Sequence, residues 1–386
     1  MIKILLFCLG IGLSEAGFFD LTDVDDPLSL LWHTPLKHKQ YSECKIDDTR
    51  QGVCTEDLKC RLSGGVPKGR CGIIFTCCSY ENTCNKITDK KEGYFRSENI
   101  NPTTTKCRYT IKLRNKNVCQ IRLDFEKFIL SPTSSIAIPN DETKKVYSCA
   151  TDELRISPDY YGIPVLCGNN TQQHVYVHVN QSDDNVDAVL LDINLASRLA
   201  STDLVTPLWH IKYTQLECPR KKHVFEIGKL VSDHELANDF GLLAPQGVLQ
   251  YYTQTSGVIK SFAYEEGSTK LFSYPYSENY VIGFKRPHYI CGIMFSVQYL
   301  NLYKNTDNTC LHLLYTPDLY QATSSSVGGD AVLGLCTGTT TTKFYSFAPG
   351  PFLLYFKAID AIANRLPTGN QGFVLKYELQ TCSKII

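Results

Sequence analysis

The sequence predicts a mainly β, disulfide-stapled protein: a small cross-linked module followed by two β-sandwich domains, the second a degenerate copy of the first. Three observations carry this. Seventeen cysteines occur in 386 residues, six of them between positions 44 and 78. Short stretches of apolar–polar alternation recur through the rest of the chain, and no long amphipathic helix stands out. Cys119, Cys149, Cys167 and Cys218 of the first half are echoed in chain order by Cys291, Cys310, Cys336 and Cys382, at nearly constant offsets.

Residues 1–16 read as a secretory signal peptide. Lys3 gives a basic start, Ile4 to Leu13 an apolar run, and Ser14 and Ala16 the small residues of a cleavage site. Cys8 leaves with it, so the mature chain holds sixteen cysteines, an even number suited to an oxidising compartment. Disulfides are expected rather than zinc, because Cys77-Cys78 is not a C-x-x-C knuckle. No later stretch approaches the roughly 18 apolar residues of a membrane helix. Only four residues follow Cys382, too few for a lipid-anchor tail. Formal net charge is zero, which argues against nucleic acid or an acidic membrane as partner.

Residues 17–43 are an extended leader without cysteine or clear periodicity. Residues 44–78 carry Cys44, Cys54, Cys60, Cys71, Cys77 and Cys78 around the turn-rich loop Ser63 to Arg70. So small a module cannot fold on apolar burial alone, and six cysteines admit 15 connectivities. Residues 84–218 form the first sandwich. In Cys119 to Phe125 the residues Cys119, Ile121, Leu123 and Phe125 share one strand face and Gln120, Arg122 and Asp124 the other. His174 to Val179 and Leu208 to Tyr213 alternate likewise. Residues 219–247 read as a linker, with a short helix expected around Ser232 to Phe240. Residues 248–382 form the second sandwich: Cys291 to Val297 echoes Cys119 to Phe125, and Leu375 to Cys382 aligns with Ile211 to Cys218 without a gap.

These residues resemble a CUB domain, a secreted jelly-roll β-sandwich. The resemblance rests on Cys84, Cys107, the strand through Phe125, Cys149-Ala-Thr-Asp152, Val165-Leu-Cys-Gly168 and the closing Trp209 to Tyr213 strand. The six-cysteine module resembles an arthropod clip domain, through its adjacent last cysteines after a Gly-Gly-x-x-x-Gly loop. The whole is similar to arthropod secreted proteins in which a clip-like knot precedes CUB repeats. The resemblance implies the pairs Cys44–Cys77, Cys54–Cys71, Cys60–Cys78, Cys84–Cys107, Cys149–Cys167, Cys119–Cys218, Cys310–Cys336 and Cys291–Cys382. The second copy lacks both members of the Cys84–Cys107 pair, and strand alignment puts Val248 and Gly283 in their places. The aromatic residues of this half offset the lost cross-link by packing.

Many CUB domains hold calcium through a Glu and two Asp. Here Asp152 falls at the first Asp position and Asp183 or Asp184 at the second, but Ser131 and Pro132 stand where the Glu belongs. Calcium is thus the one cofactor the resemblance implies, in the first domain; in the second, Leu313 replaces the first Asp. Asn169 and Asn180 open glycosylation sequons. Residues His174 and His178 lie about 13 Å apart along a strand, too far for one zinc, and read as outward polar groups. Lys68, Arg70 and Pro219 to Lys222 read as solvated charge, with Arg70 the better candidate for protein contact. No Gly-Asp-Ser-Gly-Gly segment and no Gly-x-Ser-x-Gly elbow is present. The expectation is therefore no catalytic residues, and a non-enzymatic secreted protein whose loops bind an extracellular protein or glycan. A protease inhibitor or cryptic hydrolase, and a gland-secreted structural or venom component, are the alternatives.

Overall fold

In a computed structural model the chain divides into two units, residues 1–79 with 219–241, and residues 80–218 with 242–386. The structure describes residues 43–47, 50–62, 65–73, 75–97, 100–138, 141–179, 186–199, 204–218, 239–265, 272–276, 278–304, 309–321, 334–340, 342–358 and 370–384. The signal peptide, the leader up to residue 42, Pro219 to Lys222 and most of the expected helix at 232–240 lie outside them; Asp239 and Phe240 are helical.

In the first unit, β1 (Glu43–Asp47), β2 (Arg50–Glu56), helix α1 (Asp57–Leu62), β3 (Val66–Arg70) and β4 (Phe75–Ser79) make a knot around one antiparallel sheet ordered β1-β2-β4-β3. Its cystines are Cys44–Cys77, Cys54–Cys71 and Cys60–Cys78. Cys60, Cys77 and Cys78 are at most 2% exposed, so sulfur takes the central place that aliphatic side chains hold in a larger core.

The second unit holds both sandwiches. The first comprises β5 (Glu81–Asn82), β6 (Lys86–Thr88), β7 (Glu92–Arg96), β8 (Lys106–Lys112), β9 (Val118–Ile129), β10 (Ser134–Ile138), β11 (Asp141–Ser148), β12 (Glu153–Ser157), β13 (His174–His178), β14 (Ala188–Asn194) and β15 (Leu208–Glu217). One sheet runs β12-β14-β8-β6 and the other β13-β9-β15-β7-β5, with β10–β11 a separate hairpin. Alternation decides what faces inward: Ile121, Leu123 and Phe125 of β9 are fully buried while Arg122 and Asp124 are not. Tyr109, Ile111, Leu191, Ile193, Trp209 and Ile211 complete that core.

The second sandwich comprises β16 (Gln250–Tyr252), β17 (Ser256–Lys260), β18 (Asn279–Phe284), β19 (Ile290–Asn301), β20 (His312–Tyr315), β21 (Leu319–Gln321), β22 (Thr337–Gly338), β23 (Lys343–Ser346), β24 (Phe352–Ala358) and β25 (Gly372–Thr381). Its sheets run β16-β18-β24-β20 and β17-β25-β19-β23-β21, with the short β22 on β19. The order β12-β14-β8-β6 is repeated as β20-β24-β18-β16 and β13-β9-β15-β7 as β23-β19-β25-β17; among the described residues, β5 of the first sandwich and β21 of the second have no counterpart.

The duplication extends to the irregularities. In β9 against β15, Cys119 and Glu126 bulge out of the register; in β19 against β25, their counterparts Cys291 and Gln298 do. A bulge is a local backbone feature that a repeated fold inherits whole. The bulged cysteines reach the ends of the closing strands, as Cys119–Cys218 and Cys291–Cys382. Cys84–Cys107, Cys149–Cys167 and Cys310–Cys336 are the remaining cystines. Gly93 faces Tyr213 across β7 and β15, where a Cβ would sit 2.5 Å from the phenol oxygen; Gly257 faces Tyr377 across β17 and β25, where it would sit 2.8 Å from the ring. In both copies the tyrosine lies over a backbone that only glycine leaves open.

The register corrects one alignment. The Leu249 amide donates to Val281 O as the Asn85 amide donates to Arg108 O. Val248 therefore stands at the Cys84 position, but Tyr280, not Gly283, stands at that of Cys107. The Tyr280 ring packs on Phe262 and Phe356. Gly283 instead lies beneath Val248, whose methyl would be 2.9 Å from an added Cβ. Between positions 84 and 119 the sequence offers no gap-free anchor, so nothing in it opposes the slip from Tyr280 to Gly283.

Candidate functional site

The most elaborate polar constellation lies within the second unit, where β13 meets the start of the second sandwich. β13 is an edge strand of its sheet, and an edge presents unpaired backbone groups. In the second copy the matching strand β23 is flanked by β21. In the first copy that side is met by residues 248–251, with the Tyr176 amide donating to Leu249 O at 2.8 Å. All five residues of β13 are buried. The expectation of His174 and His178 as outward polar groups holds for the strand face they take, but that face is not open to solvent, and both are buried. The alternation holds, but the outer face is covered by a segment distant in sequence, which opens the second sandwich.

The covering is read by side chains rather than by a continuous ladder. His174 Nε2 accepts the Tyr251 amide at 2.8 Å, which fixes Nε2 as the unprotonated nitrogen. His178 Nε2 donates to Val248 O at 2.9 Å, leaving Nδ1 to face the Gln120 amide nitrogen at 3.4 Å. Gln120 holds Ala244 at both ends: its Nε2 donates to Ala244 O at 2.7 Å, and its Oε1 accepts the Ala244 amide at 3.0 Å. Tyr176 donates to Leu242 O and receives a hydrogen bond from Arg122, itself paired with Asp124. Asn170 accepts the Ala263 amide at 2.7 Å, Thr133 donates to Ser273 O at 2.7 Å, and Gln173 to Ser261 O. Beneath these bonds Tyr176, Leu216, Ala244, Val248 and Tyr251 form an apolar cluster. From Leu242 on, the segment read as a linker is part of this junction.

Burial sets the protonation states. Burial, with the nearby Arg122 charge, lowers the pKa of His174 to about 3, against a smaller opposing pull from Asp124. Burial also lowers His178. Both imidazoles are neutral, as the hydrogen bonds require. Burial raises the Tyr176 phenol to about 12. At one end of the junction Pro158, Tyr160, Tyr161, Ile163, His178 and Gly247 line a small, open cleft. Tyr160 and Tyr161 on its rim are each 42% exposed, and Tyr161 stands edge-on to His178 at 5.1 Å.

Asp152 occupies a different environment from a calcium loop. It is 1% exposed; its carboxylate accepts the Ser131 amide at 2.9 Å and the Ala196 amide at 3.1 Å, and pairs with Arg198. Burial alone would raise its pKa, but the bonds from Arg198, Ser131 and Ala196 hold it below its ordinary value. A cation placed there would meet the guanidinium of Arg198 and backbone donors, so this donor set does not fit Ca²⁺. Asp183, Asp184 and Asn180 lie outside the described residues. Asn169 is half-buried, its Oδ1 accepting the Thr171 amide. Lys68 and Arg70 of β3 are exposed. Among the described residues, no group of three or more His, Cys, Asp and Glu is placed to hold a metal ion, and no helix is long and apolar enough to cross a membrane.

The two sandwiches are CUB-like jelly rolls, the second degenerate in lacking one cystine. Residues 245–380 match the animal CUB domain family. Among solved structures, the chain is similar to the CUB1-EGF-CUB2 domains of rat MASP-1 at 12% identity, covering 77% of this chain and 100% of that chain with a TM-score of 0.25. It is similar to the CUB1-EGF-CUB2 domain of human MASP-1/3 at 12% identity, 75% and 100% coverage and a TM-score of 0.23. The full extracellular region of zebrafish Gpr126/Adgrg6 matches at 11% identity, over 78% of this chain and 38% of that one, with a TM-score of 0.24. No curated protein matches.

Proposed function

We propose that the chain is a non-enzymatic extracellular binding protein, exported by the peptide 1–16 and glycosylated at Asn169 and Asn180, with domains spanning 44–78, 84–218 and 248–382. The observation that carries this reading is the junction. Seven side chains of the first sandwich grip backbone between Leu242 and Ser273, two of them on the end of the connector and five on the second sandwich, which joins two binding-type modules into one presenting body. A fixed body holds the aromatic rim of the cleft ready for an extracellular protein or glycan, so little ordering entropy opposes binding. The clip-like knot serves as a second docking module for a secreted protein. The test is capture from the native secretion on immobilised protein, compared with the Tyr160→Ser, Tyr161→Ser double variant. Equal capture of every ligand by both proteins removes the cleft from the reading, and no specific capture at all removes the function. A second reading, a protease inhibitor, is favoured by Arg70, exposed on the strand that runs into the Cys54–Cys71 bridge. Inhibition of a trypsin-like protease that Arg70→Ala abolishes would establish it.

A further inference from the structure

The knot displays an apolar surface that its own fold does not cover. Leu58 and Leu62 stand one turn apart on α1 and are 67% and 79% exposed. Val66 opens β3 directly after the helix, tied back by the Gly65 amide donating to Cys60 O. Val66 is exposed, and Ile73, just past the other end of β3, is 82% exposed. In a module this small, four exposed aliphatic side chains are a large share of its apolar complement, and exposed apolar area marks a contact surface. The same stretch is one-signed in charge. From Leu58 to Cys78 the sequence carries Lys59, Arg61, Lys68 and Arg70 and no acidic residue. All four cations are exposed, and Arg61 pairs with Asp57 one turn earlier.

The chain itself contains a segment of the opposite character. Residues 17–32 hold Asp20, Asp23, Asp25 and Asp26 with no Lys or Arg, set among Phe18, Phe19, Leu21, Val24, Leu28, Leu30, Leu31 and Trp32. The twelve steps from Trp32 to Cys44 reach about 40 Å at about 3.3 Å per residue, farther than the breadth of a module of this size, about 20 Å. Such a tether keeps the segment at an effective concentration in the millimolar range, where a weak contact is occupied.

We infer that the acidic, apolar leader 17–32 docks in cis on the Leu58/Leu62/Val66 face of the knot, with its aspartates against Lys59, Lys68 and Arg70. The consequence for regulation, that the leader masks the knot until a partner displaces it, rests on the reading of the knot as a docking module. The contact itself does not.

Trp32 makes the contact observable in the full chain. The protein has two tryptophans, and Trp209 is 1% exposed. Acrylamide quenching therefore reads Trp32 against a protected background. Expected is a wild type with both tryptophans shielded, and release of about half the emission to the quencher in Leu58→Ser with Leu62→Ser. Lys59→Glu with Lys68→Glu and Arg70→Glu should do the same, as should Asp20→Asn with Asp23→Asn, Asp25→Asn and Asp26→Asn. All these positions in the knot are exposed, so the variants leave its cystine core intact. Equal quenching of Trp32 in wild type and all three variants overturns the proposal. Shielding that disappears on dilution of the wild type also overturns it, because the leader then docks on a second copy. If the leader is released in the variants yet the native secretion yields no ligand of the knot, the docking reading fails and the contact stands.

Discussion

Acidification should loosen the protein through one imidazole. His174 is 5% exposed and its Nε2 is the acceptor of the Tyr251 amide. Protonation removes that acceptor and places a cation beside Arg122, with Asp124 the one carboxylate acting on it among the described residues and Tyr176 and the Tyr252 ring, at 4.8 Å, completing its surroundings. The folded pKa of about 3 lies below the ordinary 6.5, so the folded state binds fewer protons than the unfolded chain. The stability this contributes is complete above pH 6.5 and is lost as pH falls from there toward 3. At pH 5 the loss has run for one and a half units at about 1.4 kcal/mol each, about 2 kcal/mol, a thirtyfold shift in the folding equilibrium. Asp152 and Glu153 have pKa values lowered from 3.8 and 4.5, so they keep their contribution at pH 5 and lose it only below those values. The variant His174→Gln keeps an acceptor and removes the titration. Urea unfolding of both proteins at pH 7.5 and pH 5 should show wild type losing more than the variant by that same margin, about 2 kcal/mol. His178 and every other titrating group cancel in the comparison. Equal losses would show that His174 does not hold the junction in its neutral form.

Three further outcomes follow from other buried groups. Gln120→Ala strips both partners from the buried backbone of Ala244 and should cost about 2–6 kcal/mol in urea unfolding at pH 7, since each of the two orphaned groups costs about 1–3 kcal/mol; a loss under about 0.5 kcal/mol refutes the bidentate grip. Arg198→Met leaves Asp152 buried without its cation and should destabilise by about 3–5 kcal/mol, while neither calcium nor a chelator should shift the wild-type melting temperature; stabilisation by calcium would refute the assignment of Asp152 to Arg198. Glu278 is 3% exposed, neither carboxyl oxygen has a hydrogen-bond partner among the described residues, and burial raises its pKa well above the ordinary value. The folded state keeps that proton, so stability falls as pH rises above about 4.5, by about 1.4 kcal/mol per unit until the folded pKa is passed. Glu278→Gln should flatten this slope and be the more stable protein at pH 8, and parallel pH profiles would refute it.

What the sequence shows and what it hides divide along a physical line. Strands of the cores were legible because each is covered by its own sandwich: Ile121, Leu123 and Phe125 alternate with Arg122 and Asp124, and the pattern is the burial. The duplication was legible because offsets survive in strands that bulge at the same places, Glu126 with Gln298 and Cys119 with Cys291. The junction was not legible, because its signals are single polar residues whose partners are backbone atoms. A glutamine that grips the two ends of Ala244, or a histidine that accepts the amide of Tyr251, places no demand on the side chain it meets and leaves no complementary letter in the sequence. One local signal existed: in His174 to His178 the outward positions are His, Tyr and His, each with an apolar ring and a polar tip, where a solvated sheet face more often carries Lys, Glu or Thr. The same reasoning explains the Gly283 slip, since a valine over a glycine reads like a lost cystine until the Leu249 amide fixes the register. Because the grip is on backbone, nothing in the side chains at 248–251 pairs with Gln120, His174 or His178; what the buried Val248, Leu249, Gln250 and Tyr251 must satisfy is packing. This asymmetry makes β13, and not the segment that covers it, the place where the union of the two sandwiches is encoded.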